Sequence, residues 1–177
     1  MSGDRTIRTF LGSLILAVLA AACGGPSIRV APPPPARAWA VEAGNRLYRD
    51  DAAPLPDTIR EVIRDVTSFG QIWDRATSAL DDPPPAPEVD FDRHMIVVVG
   101  AGRSNAGDQI QVDSVGLRRE SDPRNPEREI EVVYFVVRTV RESDPFPGVS
   151  YPIEIVRVDR SDAMVRWEER SSGSPSP

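Results

Sequence analysis

The sequence predicts a mostly β fold of the α+β class, in which an antiparallel sheet closes as a small sandwich or a partly open barrel and one helix covers it. A continuous apolar run at 95–99, bounded by Gly100 and Gly102, is typical of a central strand covered on both faces. Apolar and polar residues alternate at 109–117 and 150–158, as in strands with one buried face. The connections are short and turn-like, which favours antiparallel neighbours because a parallel crossover takes about a dozen residues or more.

Two further apolar runs, at 129–140 and 163–167, are predicted to be strands of the same sheet. The segment 59–80 allows two interpretations, because its apolar residues fit one face of a single long helix. The β-branched residues crowd its first half, however, and Thr67 and Ser68 are good helix caps. We therefore expect a strand at about 59–65 and a helix at 69–80.

The chain is predicted to divide into a signal peptide (1–22), a proline-rich and largely disordered tether (23–57), a β-rich domain (58–170) and a disordered tail (171–177). Arg5 and Arg8 precede an uncharged run at 10–22 that ends in small residues, which is the layout of a secretory signal peptide. That run is shorter than the stretch of about 20 apolar residues that spans a bilayer.

Cys23 is the one cysteine of the chain and directly follows three alanines. This arrangement resembles the lipobox of bacterial lipoproteins, in which the thiol is acylated, although Ala20 stands where leucine is usual. The resemblance implies a lipid anchor at Cys23, the membrane as a partner, and a location in the cell envelope facing the periplasm or the cell exterior. The alternative is a soluble secreted protein with a leftover cysteine.

Composition excludes several classes of function. The formal net charge is −6, and all 21 basic residues are arginine, which argues against a nucleic-acid partner. With one histidine and one cysteine, the chain can form neither an internal disulfide nor a zinc site of several histidines or cysteines. We predict no catalytic residue, no metal site and no cofactor.

Three further segments or residues could form a functional site, but each also has a structural explanation. The loop 100–107 follows a strand, but Asn105 replaces the last glycine of a dinucleotide loop, so a hairpin loop is favoured over a phosphate site. Asp90 and Asp92 could bind calcium, yet a solvated linker explains them better. His94 could be a general base, but the sequence specifies no partner for it. Trp73, Trp167, Phe135 and Tyr151 are predicted to be core residues.

Four segments in order resemble the C-terminal domain of the protease complex subunit PrcB family. They are SFGQIW at 68–73, PEVDF at 87–91, MIVVVG at 95–100 and YPIEIVRV at 151–158. The resemblance implies an exported, lipid-anchored accessory domain that accompanies a surface protease. The family's threonine-glycine-glycine-tyrosine loop is replaced here at 104–108, so a role tied to that loop does not carry over.

These observations predict a lipid-anchored, non-catalytic extracytoplasmic domain that binds or stabilises another protein, and the resemblance implies that this partner is a protease. An exposed strand edge could make that contact. The alternative is a periplasmic module that binds a small ligand or a peptide, which would need a pocket with a few converging polar groups.

Overall fold

The computed structural model describes residues 37–142 and 146–172. The predicted signal peptide, Cys23 and the part of the predicted tether before residue 37 lie outside the described residues. So do residues 173–177 of the predicted tail.

Ten strands and one α-helix make up the described chain. The first part contains β1 (Arg37–Ala40), a 3-10 helix (Ala43–Asn45), β2 (Arg46–Asp50), β3 (Thr58–Ile63) and α1 (Val66–Thr77). The second part contains β4 (His94–Ala101), β5 (Ser104–Ala106), β6 (Gln109–Asp122), β7 (Asn125–Val140), β8 (Phe146–Ser150), β9 (Ile153–Asp159) and β10 (Met164–Ser172).

The strands form two four-stranded sheets and one small two-stranded sheet. The outer sheet has the order β1-β6-β7-β10, the central sheet has the order β2-β9-β4-β3, and β5 pairs with β8. The two large sheets pack face to face around one apolar cluster, to which Val97, Val156, Val112 and Phe135 belong. The predicted sandwich is therefore confirmed.

The helix α1 covers the other face of the central sheet. Phe69, Ile72 and Trp73 of the helix share a second buried cluster with Ile96 and Ile155. The central sheet is thus covered on both faces, which explains why β4 is a continuous apolar run rather than an alternating one.

The segment 58–77 is a strand followed by a helix, which is the arrangement that the sequence favours over one long helix. The helix begins earlier than the predicted residue 69 and ends earlier than residue 80. Its N-cap is Asp65, whose carboxylate accepts a 2.8 Å hydrogen bond from the Ser68 amide, so Thr67 and Ser68 lie in the first turn and are not the caps. This hydrogen bond lowers the pKa of Asp65 below its ordinary value of 3.8.

The predicted boundary between tether and domain at residue 58 is wrong, because two strands lie before it. Strand β1 pairs with β6 and β2 pairs with β9. Ala53 and Leu55, between β2 and β3, are buried under α1. At the other end, β10 continues into the predicted tail as far as residue 172.

One strand pair differs from the predicted antiparallel pattern, since β10 runs parallel to β7. Strand β9 lies between them in sequence but belongs to the central sheet. The chain therefore crosses the sandwich between β7 and β10, and β10 returns in the direction of β7. Short connections predict antiparallel neighbours only when both strands lie in the same sheet.

The β6–β7 hairpin extends beyond the rest of the outer sheet. Strand β1 pairs with β6 only as far as Leu117, and β10 pairs with β7 only from Val132 onward. Residues 118–131 therefore form a two-stranded projection, which we call the arm. Most of its residues are exposed.

We predict that Asp65→Asn reduces the acid sensitivity of the fold. Because the pKa of Asp65 is lowered in the folded state, its stabilisation is complete well above pH 3.8 and is lost as the pH falls through the folded-state value. Asparagine also caps helices but does not titrate. The fall in melting temperature from pH 7 to pH 3 should be smaller in Asp65→Asn than in the wild type. The control Asp74→Asn, an exposed position inside α1, should behave as the wild type.

Candidate functional site

A buried carboxylate joins the two sheets at one end of the sandwich. The side chain of Glu154 on β9 is 0% exposed and forms ion pairs with Arg46 and with Arg49, the second at 2.8 Å. Its other oxygen accepts a 2.6 Å hydrogen bond from the amide of Val112 on β6. Both oxygens of the buried charge are therefore paired, which offsets the cost of removing it from water.

The hydrogen bonds continue outward from Glu154 along the two sheets. Arg49 donates to the Gln111 amide oxygen at 2.9 Å, and the Gln111 amide nitrogen donates to Asp113 at 2.6 Å. Arg138 donates to the same oxygen of Asp113 at 3.0 Å. We call this set the Glu154 network; its members are Glu154, Arg46, Arg49, Gln111, Asp113 and Arg138.

Glu154 itself is enclosed within the network. A fully buried carboxylate with both oxygens paired cannot reach a substrate. Nearby, Tyr48 donates to Asp50 at 2.8 Å, and burial together with that carboxylate raises the pKa of Tyr48 above its ordinary value of 10.0. The phenol is therefore a neutral hydrogen-bond donor at physiological pH.

At the opposite end of the central sheet the sandwich opens into a cleft of about 510 Å³. Its walls are mainly apolar and come from both sheets: Trp39, Met95, Val115, Leu117 and Val133. Its rim is polar and is formed by Glu131, Asp159, Arg160 and Ser161. We call it the Trp39 cleft, and its volume lies within the range of ligand pockets.

Trp39 is the most accessible aromatic residue of this cleft. It is 39% exposed, whereas Met95 and Val133 at the base of the cleft are almost fully buried. A second cavity of about 250 Å³ also contains Trp39, together with Glu42, His94 and Arg157. Trp39 therefore lines both cavities.

The charged groups on the rim are not equivalent. Arg160 donates to the Phe91 carbonyl at 2.6 Å and lies 3.6 Å from Asp162. Glu131 and Asp159, in contrast, form no ion pair with any of the residues that the structure describes. The rim thus offers two carboxylates without an ion pair, whereas its cation, Arg160, already contacts Phe91 and Asp162.

His94, Asp159 and Ser161 lie at this end of the sandwich but do not form a catalytic triad. His94 Nδ1 lies 3.3 Å from the carbonyl oxygen of Asp90, and the Ser161 hydroxyl accepts a hydrogen bond from the Ala163 amide. In a triad the histidine would instead contact both the hydroxyl and a carboxylate.

The calcium hypothesis for Asp90 and Asp92 has no geometric support in the described chain. Asp90 accepts hydrogen bonds from the backbone amides of Asp92 and His94, so it organises the turn that enters β4. No group of three or more potential metal ligands occurs among residues 37–142 and 146–172.

The loop 100–107 is a structural turn rather than a phosphate loop. Gly102 has φ of +69°, and a Cβ there would lie 2.9 Å from the Pro56 carbonyl oxygen. Residues 104–106 form β5, which pairs with β8. No helix follows the loop, so no helix N-terminus faces it.

The predicted core position is confirmed for Trp73 and Phe135, holds partly for Trp167, and does not hold for Tyr151, which belongs to neither core cluster. Trp73 and Phe135 are buried, and Trp167 packs against Phe135 with ring centroids 5.0 Å apart. Tyr151 is half-buried. Sequence reasoning did not single out Trp39, because its strand is short and its partner strand lies far along the chain.

No protein family, curated protein or solved structure matches this chain. The resemblance to the PrcB C-terminal domain therefore stays a prediction. In the part of the chain that the structure describes, α1 is too short and too polar to cross a bilayer.

We predict that removing both cations from Glu154 strongly destabilises the protein. The double variant Arg46→Met/Arg49→Met leaves a buried carboxylate without a counter-charge, which should lower the free energy of unfolding by about 3 kcal/mol. Adding Glu154→Gln should recover about half of this loss, since a buried amide needs no counter-charge. Urea unfolding followed by circular dichroism measures both effects.

The matched control for this prediction is Arg103→Met/Arg124→Met, which removes two exposed arginines. Its free energy of unfolding should stay within about 0.5 kcal/mol of the wild type. If Glu154→Gln gives no recovery in the double variant, the buried charge is not what the arginines stabilise.

We also predict that the accessible and buried tryptophans differ in their contribution to stability. Trp73 is 4% exposed and its indole donates to the Pro84 carbonyl at 2.8 Å, so Trp73→Ala should cost about 4 kcal/mol. Trp39→Ala removes a side chain that keeps much of its surface in water, and should cost about 1 kcal/mol. Equal losses in urea unfolding would show that Trp39 belongs to the core and is not available to a partner.

Proposed function

We propose that this chain is a lipid-anchored, non-catalytic binding domain of the cell envelope that engages a protein partner at the Trp39 cleft. The domain stands on the extracytoplasmic side of the membrane and contributes contact rather than chemistry. A surface protease is the partner class that the PrcB-like segments favour.

The observation that carries this proposal is the exposed indole of Trp39 over an apolar cleft. Tryptophan is enriched in the residues that dominate protein interfaces, where it combines a large apolar area with few rotatable bonds. The cleft reaches the arm at Glu131, so a partner can contact both. The rim provides the polar border that is typical of protein interfaces.

The anchor rests on the sequence before residue 37. An acyl chain contributes about 0.8 kcal/mol per buried methylene, and stable attachment takes more than one chain. Acylation at Cys23 would hold the domain near the membrane and raise its effective concentration for a partner in the same envelope.

Binding of a small ligand is the second candidate function, and the volume of the Trp39 cleft favours it. A cavity of about 510 Å³ is large enough for a metabolite, and the polar groups on its rim could orient one. In that case the purified protein would release a compound on denaturation, which mass spectrometry would detect.

We predict that a photo-crosslinker at position 39 joins the chain to a defined envelope protein in intact cells. Benzoylphenylalanine would replace Trp39 in the full chain, and mass spectrometry would identify the product. The matched control is the same substitution at Val66, which is 70% exposed on the helix. The expected result is one dominant crosslinked product from position 39. The same product should not form when the crosslinker is at position 66.

The same cells test the anchor through Cys23→Ser. The wild-type chain should sediment with membranes, and the variant should move to the soluble extracytoplasmic fraction. Unchanged fractionation would contradict acylation at Cys23. A released metabolite without any crosslinked protein would favour the small-ligand function instead.

A further inference from the structure

The edges of the two large sheets differ in how they are protected. Exposed edge strands pair readily with other chains, and proteins commonly block them with charged side chains. Arg60 on β3 forms hydrogen bonds of 2.6 and 3.1 Å with Glu169 on β10, so these two edges are joined by an ion pair. The edge strand β2 carries Arg46 and Arg49 of the Glu154 network.

Strand β1, the remaining edge, has no such protection along its exposed residues. Ala38, Trp39 and Ala40 are consecutive, uncharged and exposed. Two of them have only a methyl side chain, which leaves room for a neighbouring backbone. An additional strand therefore meets less obstruction at β1 than at β2, β3 or β10.

The backbone of β1 has hydrogen-bonding groups that face away from β6. The Val41 amide donates to the Asp113 carbonyl at 3.3 Å, and Trp39 is paired with Val115 in the same register. Because the direction of the amides alternates along a strand, the amides of Ala38 and Ala40 point to the open side. An extended peptide can form a short ladder there.

Charge favours a basic peptide on this edge. Glu131 and Asp159 at the rim of the Trp39 cleft have no ion pair among the described residues, whereas Arg160 is occupied by Phe91 and Asp162. Both carboxylates line the same cleft as Trp39. The indole face attracts a cation as well.

We infer that β1 binds an extended segment of the partner in which an apolar residue and a lysine or arginine are two residues apart, so that both side chains point to the face of the Trp39 cleft. Backbone hydrogen bonds to Ala38 and Ala40 add the segment as a fifth strand of the outer sheet, a cation lies at Glu131 or Asp159, and an apolar side chain enters the Trp39 cleft. This inference rests on the proposed function and specifies the chemistry of the partner.

Three twelve-residue peptides test the inference, each labelled for fluorescence anisotropy with the purified full chain. Their repeats are Val-Ser-Lys-Ser (the Val-Lys peptide), Val-Ser-Glu-Ser (the Val-Glu peptide) and Val-Ser-Ser-Ser (the Val-Ser peptide), so that valine and the charged residue share one face of the strand. The Val-Lys peptide should bind at least tenfold more tightly than the Val-Glu peptide, with the Val-Ser peptide between them. A Val-Lys peptide N-methylated at alternate residues cannot form the ladder and should lose at least tenfold in affinity.

Variants of the chain separate the apolar, charged and structural contributions. Trp39→Ala should weaken binding of the Val-Lys peptide about tenfold, as loss of an interface tryptophan does. Glu131→Gln/Asp159→Asn should weaken it about fivefold at low salt and less at high salt, because the carboxylates are exposed. The control Glu61→Gln/Asp74→Asn changes two exposed carboxylates outside the cleft and the arm and should leave the affinity unchanged.

Each outcome decides the inference. Equal affinity for the Val-Lys and Val-Glu peptides, full binding by Trp39→Ala, or no binding of the Val-Lys peptide at about 1 mM would overturn it. If the crosslinker at position 39 still captures a defined protein while the peptides do not bind, the proposed function stands and only the strand-addition inference fails.

Discussion

The fold depends on placing one charged residue, Glu154, between two apolar sheets. The cost of burying a carboxylate is several kcal/mol unless its partners are supplied with good geometry. Here they come from two other strands, since Arg46 and Arg49 lie on β2 and the amide of Val112 lies on β6. A pairing that omits either strand leaves one carboxylate oxygen without a partner, so the network penalises alternative arrangements of the sheets.

The same constraint fixes the register of β9. Side chains alternate between the two faces of a strand, and a shift by one residue exchanges them. Glu154, Val156 and Val158 face the outer sheet, whereas Ile153 and Ile155 face the helix. A one-residue slip would turn the carboxylate to the face that packs against Phe69 and Trp73, away from the Val112 amide on the outer sheet.

Local sequence patterns were sufficient for the longer strands and the helix, but not for the short strands or for the arrangement of the sheets. The runs at 95–99, 109–117 and 129–140 predict strands because their apolar periodicity is local. Strands β1 and β2 escaped prediction because they are short and their partners, near residues 117 and 155, are distant in sequence. The parallel position of β10 depends on which sheet β9 joins, and no short window contains that information.

The site was less predictable than the fold for the same reason. In sequence Glu154 is one acidic residue in an apolar strand, and only the position of Arg46 and Arg49 explains its burial. Trp39 lies beside a proline-rich segment and gives no periodic signal. Ala38 and Ala40 flank Trp39, and all three are uncharged and lie close together in the predicted tether. This is the one sequence feature that could have indicated an accessible strand edge.

The Glu154 network and the Trp39 cleft lie at opposite ends of β9, and this separation bears on binding. The network holds the sheets together at the Glu154 end, while at the Asp159 end a cleft with mainly apolar walls is lined by residues of both sheets. Because β1 is already hydrogen-bonded to β6, adding a strand to it orders the incoming segment but not the domain. The entropic cost of association then falls mainly on the partner, because the domain is already ordered. This lowers the total cost of binding, so that even a short strand edge with few hydrogen bonds can bind with useful affinity.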